Sequence, residues 1–253
     1  MGKYNKEFYD NQVVGSRRSA SKIIPYVVDK LSPIEIHSLV DFGCGVGGWL
    51  SEFKAIDDRN VVKGMDFGDA QDNQLLIDKK CFEHLDLSKR INLDRKYDMA
   101  MSVEVAEHLQ EEYADIFVDN LCAASNIVLF SAAIPGQGGV EHVNEQPYEY
   151  WINKFKERGY ICYDIIRPHF WDDKDVEVWY RQNTFLYIKE KVDINMCSLK
   201  EYDESIPNLH IINPELLVEV SDNYKSLNTR LINTNYIKIH YPFIYTLIKR
   251  IRK

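Results

Sequence analysis

The most constraining feature of this sequence is the glycine-rich stretch from Ser38 to Leu50, SLVDFGCGVGGWL. Its first half predicts a short buried strand, its glycines predict a tight turn, and Trp49 to Phe53 begins a helix. Glycines let the backbone approach a ligand closely, and the first N–H groups of a helix point towards that ligand. A strand, a glycine turn and a helix N-terminus in this order predict a cofactor-binding loop.

The spacing of the glycines fits two different motifs. Gly43, Gly45 and Gly48 match the dinucleotide fingerprint, in which the helix N-terminus holds a pyrophosphate. Asp41 followed by Gly43, Gly45 and Gly47 resembles instead the first motif of class I S-adenosylmethionine (SAM) methyltransferases. An acid at the strand end attracts the sulfonium and ammonium groups of SAM and repels a pyrophosphate, so Asp41 favours SAM. A glycine turn without any ligand is the third interpretation.

Composition narrows the class of protein. The chain has 253 residues, 45% of them hydrophobic, which predicts one domain with an appendage. Apolar runs fall short of the ~20 residues that a membrane span needs, and the N-terminus lacks an apolar signal region. Five widely spaced cysteines fit neither a zinc site nor a disulfide framework. We therefore expect reduced thiols in a cytoplasmic protein. The net charge of −8 argues against a general nucleic-acid binder.

The charge is distributed unevenly along the chain. Residues 191–253 have a balance of +2, whereas residues 1–190 carry −10. This shift predicts a main domain over 1–190, with an N-terminal cap helix region at 1–36, and a helical extension over 191–253. Residues 242–253 predict a basic amphipathic helix, which can contact an anionic membrane at its inner face, bind a partner, or dock on its own domain.

The next two predicted strands end in acids that suit a nucleoside. Asp66 ends the strand that begins at Val61, and its carboxylate is placed to accept hydrogen bonds from two ribose hydroxyls. NAD and SAM both contain this ribose, so Asp66 does not choose between them. In the resembled family, an acid after the third strand receives the adenine amino group and the next backbone N–H reaches the ring. Asp86 and Leu87 match that pattern, and Cys44 and Phe67 complete the expected cofactor set.

A second motif follows the predicted fourth strand. Residues 97–102 form a near-continuous apolar run, as a buried parallel strand should. Residues 103–109, VEVAEHL, then resemble the fourth-strand motif of methyltransferases related to the ubiquinone and menaquinone enzymes. The resemblance implies that Glu104 lies over the cofactor. His108 is either a hydrogen-bonding residue at the helix start or a catalytic residue.

The order of predicted elements defines a fold class. Strands alternate with helices, which predicts an α/β protein with a Rossmann-like sheet and helices on both faces. We expect seven strands, mostly parallel, with the sixth over 160–166 and the seventh over 183–188. The resemblance implies an antiparallel seventh strand. Helices are predicted over 19–31, 111–124 and 148–158.

The polar loop after the fifth strand predicts the acceptor site. Residues 133–147 are rich in glycine and polar side chains and follow a strand end, where ligand crevices form. Residues 134–151 resemble the corresponding segment of bacterial methyltransferases associated with capsule and lipopolysaccharide biosynthesis. The resemblance implies methylation of an oxygen of a sugar or a nucleotide- or phosphate-linked precursor of a surface polysaccharide.

An alcohol acceptor must lose a proton, and the loop offers bases for it. His142 is the first candidate, because a pKa near ~6.5 suits a general base, and Glu141 is the second. A loop-ordering hydrogen bond is the alternative role of His142. The spacing of histidines and acids is too wide to suggest a metal ion, so none is expected. We expect the acceptor to be oriented by Tyr9, Arg17, Gln137, Asn144 and Tyr148.

Three alternative functions stay open. The first is an N-methyltransferase acting on a small molecule. The second is an NAD-dependent oxidoreductase, which Asp41 and the fourth-strand motif disfavour. The third is a non-catalytic SAM-binding subunit that recruits a partner through its C-terminal extension.

Overall fold

A computed structural model of the chain describes residues 6–67, 74–194, 199 and 210–222, with side chains from residue 13 onward. Its core element is one sheet of seven strands. These are β1 Ser38–Phe42, β2 Val61–Asp66, β3 Phe82–His84, β4 Met99–Val103, β5 Ile127–Ser131, β6 Tyr160–Tyr163 and β7 Phe185–Lys189. Their spatial order is β3-β2-β1-β4-β5-β7-β6.

The first five strands are mutually parallel, and β7 runs antiparallel to both β5 and β6. All residues of β1, β4 and β5 are buried, as their near-continuous apolar sequences require in a sheet covered on both faces. The predicted Rossmann-like fold with seven mostly parallel strands is therefore confirmed, and so is the antiparallel last strand that the resemblance implied.

Among the described residues up to 194, six α-helices accompany this sheet. They are α1 Lys6–Leu31, α2 Gly48–Ile56, α3 Ala114–Ala124, α4 Tyr148–Lys156, α5 Ile166–Phe170 and α6 Val178–Asn183. The first helix begins 13 residues before the predicted Ser19. The helical period of 3.6 residues places its apolar side chains on one face. This face is fully buried in the same core as Leu39 of β1 and Phe53 of α2. It consists of Ala20, Ile23, Ile24, Val27 and Leu31.

The boundaries of two predicted strands differ from the structure. Strand β6 ends at Tyr163 rather than at Ile166, which is the first residue of α5. Strand β7 begins at Phe185, because Asn183 still belongs to α6. Short apolar runs do not distinguish a strand from a buried helix, which explains both errors.

The chain divides into two compact units, residues 1–211 and 212–253. In the second unit, residues 214–222 are helical, and the side chain of Asn213 accepts a hydrogen bond from the backbone N–H of Glu215 at 3.1 Å. Such a side-chain cap satisfies one of the free N–H groups at the start of a helix. The boundary near residue 190 stays a prediction, and the predicted basic helix at 242–253 lies outside the described residues. None of the described helices is long and apolar enough to cross a membrane.

Candidate cofactor and acceptor site

Most of the sequence-predicted site residues lie at or after the carboxyl ends of the parallel strands, whereas Tyr9 and Arg17 belong to α1. Strand β1 has β2 on one side and β4 on the other, so the connections leave β1 and β4 in opposite directions across the sheet. A crevice opens at such a reversal, beyond the carboxyl ends of the two strands. The glycine loop, Glu104 and the loop that follows β5 all lie at this edge.

The glycines of the loop after β1 have distinct roles. Gly43 has φ +91°, and a Cβ atom there would lie 2.4 Å from Cγ2 of Val105. Gly47 has φ +84° at the start of α2, and its Cβ would lie 2.9 Å from Ile77. Gly45 also has a positive φ, +53°, but no described atom lies within 4 Å of its Cβ position. Packing therefore requires glycine at the outer two positions, whereas Gly45 faces open space that a ligand can fill.

Asp41 is buried near the carboxyl end of β1, two residues before Gly43. Its side chain is on a residue only 1% exposed, and among the described residues its Oδ1 has no hydrogen-bond partner. Burial raises its pKa well above the ordinary value, and the negative charge of Asp66 raises it further. A buried carboxyl group with one open oxygen is suited to a positively charged ligand, and it disfavours a phosphate group.

The residues expected to bind the ribose and the adenine ring differ in their contacts. The carboxylate of Asp66 accepts a hydrogen bond from the backbone N–H of Gly45 at 2.7 Å. Phe67 is 65% exposed, with its ring centroid 5.6 Å from that of His84. An exposed aromatic ring beside the ribose acid is suited to stacking on a flat base.

Asp86 already has internal partners in this structure. Its carboxylate accepts hydrogen bonds from the backbone N–H and the hydroxyl of Ser88 and pairs with Lys89 at 3.0 Å. These contacts, led by the Ser88 hydroxyl, lower the pKa of Asp86 to about 2. Leu87 is buried, and the thiol of Cys44 packs where a Cβ of Gly64 would lie. The side chain of Cys44 therefore packs against β2, and its backbone N–H donates to the carbonyl of Met65 at 3.1 Å.

Glu104 lies at the end of β4 with φ +54°, a conformation rare for a residue other than glycine. Its carboxylate accepts hydrogen bonds from Nε2 of Gln137 at 3.0 Å and from Nδ2 of Asn183 at 3.1 Å. Asn183 also donates to Oε1 of Gln137 at 2.9 Å. The raised pKa of Glu104 follows first from burial. This network connects β4, the loop after β5 and the end of α6, and its Asn183 member was missed because that residue was assigned to a strand.

Glu145 organises the predicted acceptor loop. Its carboxylate accepts hydrogen bonds of 2.7 Å from the backbone N–H groups of both Gly136 and Gly138. Its Oε1 atom also lies 2.9 Å from Nδ1 of His142. Sequence reasoning did not select Glu145, although its position three residues after His142 is a signal that could have found it.

His142, Glu107 and His108 meet beside that loop. Backbone N–H groups of Val143 and Asn144 donate to the carbonyl of Glu107 at 2.9 and 3.0 Å, which holds the loop against the turn after β4. The carboxylate of Glu107 and one nitrogen of each histidine all lie within 4.8 Å of one another. The expectation of no metal ion rested on sequence spacing alone, and 33 intervening residues separate His108 from His142.

The remaining predicted acceptor residues have structural partners. The hydroxyl of Tyr148 is buried and donates to the carbonyl of Gln182 at 3.0 Å, so it belongs to the wall of the site. Asn144 is buried, and its side-chain oxygen accepts from Nε2 of Gln146 at 2.8 Å. Arg17 pairs with Glu52 at 2.7 Å. Glu141 is exposed, and the side chain of Tyr9 lies outside the described residues.

The fold is similar to several solved structures. Magnesium protoporphyrin IX methyltransferase (ChlM) from Synechocystis PCC 6803 with bound SAM is 15% identical, with 75% of this chain and 86% of that chain covered and a TM-score of 0.51. DesVI from Streptomyces venezuelae is 15% identical, with coverage of 75% and 100% and a TM-score of 0.55. The sugar N-methyltransferase KedS8 from Streptoalloteichus sp ATCC 53650 is 13% identical, with coverage of 75% and 95% and a TM-score of 0.56.

These neighbours are class I SAM-dependent methyltransferases. Because the identities are low, the similarity establishes only the fold of this chain. No protein-family model and no curated protein sequence matches it.

Proposed function

We propose that this protein is a SAM-dependent methyltransferase that transfers a methyl group to an oxygen of a small polar acceptor. The observation that carries the proposal is the buried carboxyl group of Asp41, with one unpartnered oxygen among the described residues, beneath a glycine loop open at Gly45. A ligand with positive charge compensates Asp41, whereas the pyrophosphate of NAD would be repelled by it.

The residues present fit a SAM molecule. The methionine portion of SAM would occupy the open space beside Gly45. A side chain at position 45 would compete with the ligand for that space. Asp66 is placed for the ribose hydroxyls, and Phe67 for one face of the adenine. Asp86 and Leu87 would bind the adenine edge, with the exposed Lys89 giving way to the adenine amino group. The neighbours whose structures contain SAM support this assignment.

The protein must align the acceptor and remove its proton. Bound SAM supplies a methyl group on positively charged sulfur; transfer forms an oxygen–carbon bond and breaks the sulfur–carbon bond, whose electron pair stays on sulfur. Alignment of the reacting atoms supplies much of the rate in such a displacement. The Glu104–Gln137–Asn183 network is placed to hold the acceptor side of the crevice rigid.

His142 and Glu141 remain the proposed residues for proton removal. His142 is favoured, because Glu145 orients its ring and Glu141 is exposed. The other nitrogen of His142, Nε2, lies 4.0 Å from the buried carboxylate of Glu107. His142 therefore acts either as the base itself or as a ligand to an ion that acidifies the acceptor.

The proposed acceptor is a sugar or a nucleotide- or phosphate-linked precursor of a bacterial surface polysaccharide, in the cytoplasm or at the inner face of the membrane. The resemblance of residues 134–151 supports it, and two neighbours are described as a sugar N-methyltransferase and an amino pentose methyltransferase. Those neighbours also support an amine acceptor as the second candidate. The carboxylates of Asp66, Glu104 and Glu145 around the crevice favour a positively charged amine in the same way.

Labelled methyl transfer tests the proposal. The full chain is incubated with SAM that carries a labelled methyl group and with two pools, hydroxyl-only and amino nucleotide sugars. We expect label in the hydroxyl pool, with the product identified by mass spectrometry. Label confined to the amino pool would move the acceptor atom to nitrogen. Tight binding of the cofactor with no label in either pool would favour a non-catalytic SAM-binding subunit.

A further inference from the structure

Glu107 is a buried carboxylate without a compensating charge. Its side chain is 0% exposed, and within the part of the chain that the structure describes neither carboxylate oxygen accepts a hydrogen bond. Buried charges in proteins are normally paired or bound to metal ions, because an isolated one is strongly destabilising. Glu107 therefore calls for a cation that the described side chains do not supply.

Two imidazole rings lie beside this carboxylate. Oε1 of Glu107 is 4.0 Å from Nε2 of His142, and the rings of His108 and His142 are perpendicular with centroids 4.8 Å apart. The three candidate ligand atoms lie within 4.8 Å of one another. Two bonds of about 2.0–2.2 Å to a common ion hold ligand atoms ~3–3.5 Å apart at octahedral or tetrahedral angles. The three atoms must therefore approach one another by about 1–2 Å through side-chain rotation to bind one ion.

Both histidines have partners of the kind that orient metal ligands. Nδ1 of His142 lies 2.9 Å from the carboxylate of Glu145, which leaves Nε2 directed towards Glu107. The backbone of Glu141, the residue before His142, lies close to the ring of His108. A metal-binding histidine commonly donates its second N–H to a carboxylate or a backbone carbonyl, which fixes the ring and its tautomer. The surroundings of the two histidines are thus a second observation that points to a metal ion, beside the buried carboxylate of Glu107.

We propose that Glu107, His108 and His142 bind one divalent transition-metal ion at the acceptor side of the crevice. Two imidazoles and one carboxylate favour ions such as Mn²⁺, Co²⁺ or Zn²⁺ over Mg²⁺ and Ca²⁺, which prefer oxygen ligands. Three protein ligands leave coordination positions open for an oxygen of the acceptor. The site departs from the sequence-based expectation of no metal ion.

The role of the ion rests on the proposed methyl transfer, whereas its binding does not. A hydroxyl that coordinates a divalent ion loses its proton to solvent more readily, and the ion also fixes the position of that oxygen. Nε2 of His142 then serves as a ligand and needs no proton from the acceptor.

Direct metal binding to the full chain tests the site. Protein stripped with a chelator is titrated with CoCl2, MnCl2, ZnCl2 and MgCl2, and binding is followed by calorimetry, by thermal unfolding and by the visible absorption of Co²⁺. We expect one equivalent of a transition-metal ion to bind and raise the melting temperature, with MgCl2 binding at least about tenfold more weakly. Glu107→Gln and His108→Gln should each weaken Co²⁺ binding at least about 100-fold and change its visible spectrum.

Two controls separate binding from folding. Glu107→Gln removes a buried charge, so its metal-free melting temperature should equal or exceed that of the wild type. Glu35→Gln alters a His37–Glu35 pair of 3.4 Å that is exposed, and it should leave metal binding unchanged. Absence of stoichiometric binding, or binding that Glu107→Gln and His108→Gln leave intact, would overturn the proposal. These measurements of metal binding do not require methyl transfer. Failure of the proposed function would be recognised separately, because the protein would then not bind S-adenosylhomocysteine.

Discussion

The carboxylate of Asp66 accepts a hydrogen bond of 2.7 Å from the backbone N–H of Gly45, 21 residues earlier in the chain. This contact connects the end of β2 to the open position of the glycine loop. The acid that is placed for the ribose hydroxyls thus also sets the shape of the loop beside which the cofactor is proposed to lie. The two halves of the proposed cofactor site are therefore coupled through one side chain.

Replacement of Asp66 tests this coupling. Asp66→Ala should weaken binding of S-adenosylhomocysteine about 10- to 100-fold, since hydrogen bonds to a charged group contribute about 1.5–3 kcal/mol. Calorimetric titration measures the change. The control is Glu83→Ala, which removes an exposed acid of β3 that pairs with Lys63 and should leave the affinity unchanged. An affinity of Asp66→Ala close to the wild-type value would show that Asp66 does not contact the ligand.

The glycines of the loop should respond differently to alanine. Gly43→Ala places a Cβ 2.4 Å from Val105 at φ +91°, and it should lower the free energy of unfolding by about 2–5 kcal/mol. Gly45→Ala meets no described atom, so it should cost only about 1–2 kcal/mol while weakening S-adenosylhomocysteine binding at least about tenfold. Denaturant unfolding and calorimetry measure the two effects.

Gly159→Ala is the matched control for the strain of a positive φ. Gly159 has φ +74°, open space at its Cβ position and a location between α4 and β6, away from the glycine loop. We expect a similar loss of stability with unchanged ligand affinity. Equal affinities for the Gly45→Ala and Gly159→Ala proteins would contradict the placement of the ligand beside Gly45.

Asp41 should make the ligand-free protein less stable at neutral pH. Its folded-state pKa is raised above 3.8, so its favourable contribution is present below that value and is lost as the pH rises through the folded-state pKa. Asp41→Asn should therefore raise the melting temperature by a few degrees at about pH 8, an effect of about 1–3 kcal/mol. The difference between the two proteins should shrink as the pH falls towards about 5.

The same substitution should weaken binding of SAM. Asp41→Asn removes the negative charge beneath the loop, so SAM affinity should fall while the ligand-free protein becomes more stable. Thermal unfolding across pH, with and without SAM, measures both effects. A variant that is less stable without ligand, or that keeps full SAM affinity, would refute this role of Asp41.

Glu145 should influence turnover more than cofactor binding. Glu145→Gln weakens the contacts to Gly136, Gly138 and His142, so the acceptor loop loses its order. We expect the turnover number to fall about 10- to 100-fold, as for the loss of a residue that orients a ligand or base, with S-adenosylhomocysteine affinity within about threefold of wild type. Glu149→Gln, on the exposed start of α4, is the control. Unchanged turnover in Glu145→Gln would separate this loop from the chemistry.

Much of the fold could be predicted because its signals are local. The glycine loop carries its turn chemistry within a few residues, and the apolar runs of β1, β4 and β5 are short and bounded by turn residues. The mostly parallel seven-stranded sheet followed from the alternation of strands with helices, and its antiparallel last strand followed from the family resemblance. The predicted end of β6 and the predicted start of β7 were wrong, because the residues beside these strands belong to short helices.

The acceptor side of the site depends on contacts between distant parts of the chain. Glu107 and His142 are 35 positions apart and meet only because the loop after β5 folds back onto the turn after β4. Asn183 reaches Glu104 across 79 positions. Residue type and spacing do not encode such meetings, so Asn183 and the cluster around Glu107 escaped prediction. The strand, glycine turn and helix of residues 38–56 did not, because they are adjacent in the sequence.

One measurement tests the central claim most directly: thermal unfolding of the full chain with S-adenosylhomocysteine, SAM and NAD in parallel. A ligand at 100 times its dissociation constant should stabilise the folded state by about 2.7 kcal/mol, which raises the melting temperature by a few degrees. We predict this shift with S-adenosylhomocysteine and SAM and no shift with NAD. A shift with NAD alone would contradict the assignment of Asp41 and the methyltransferase function built on it.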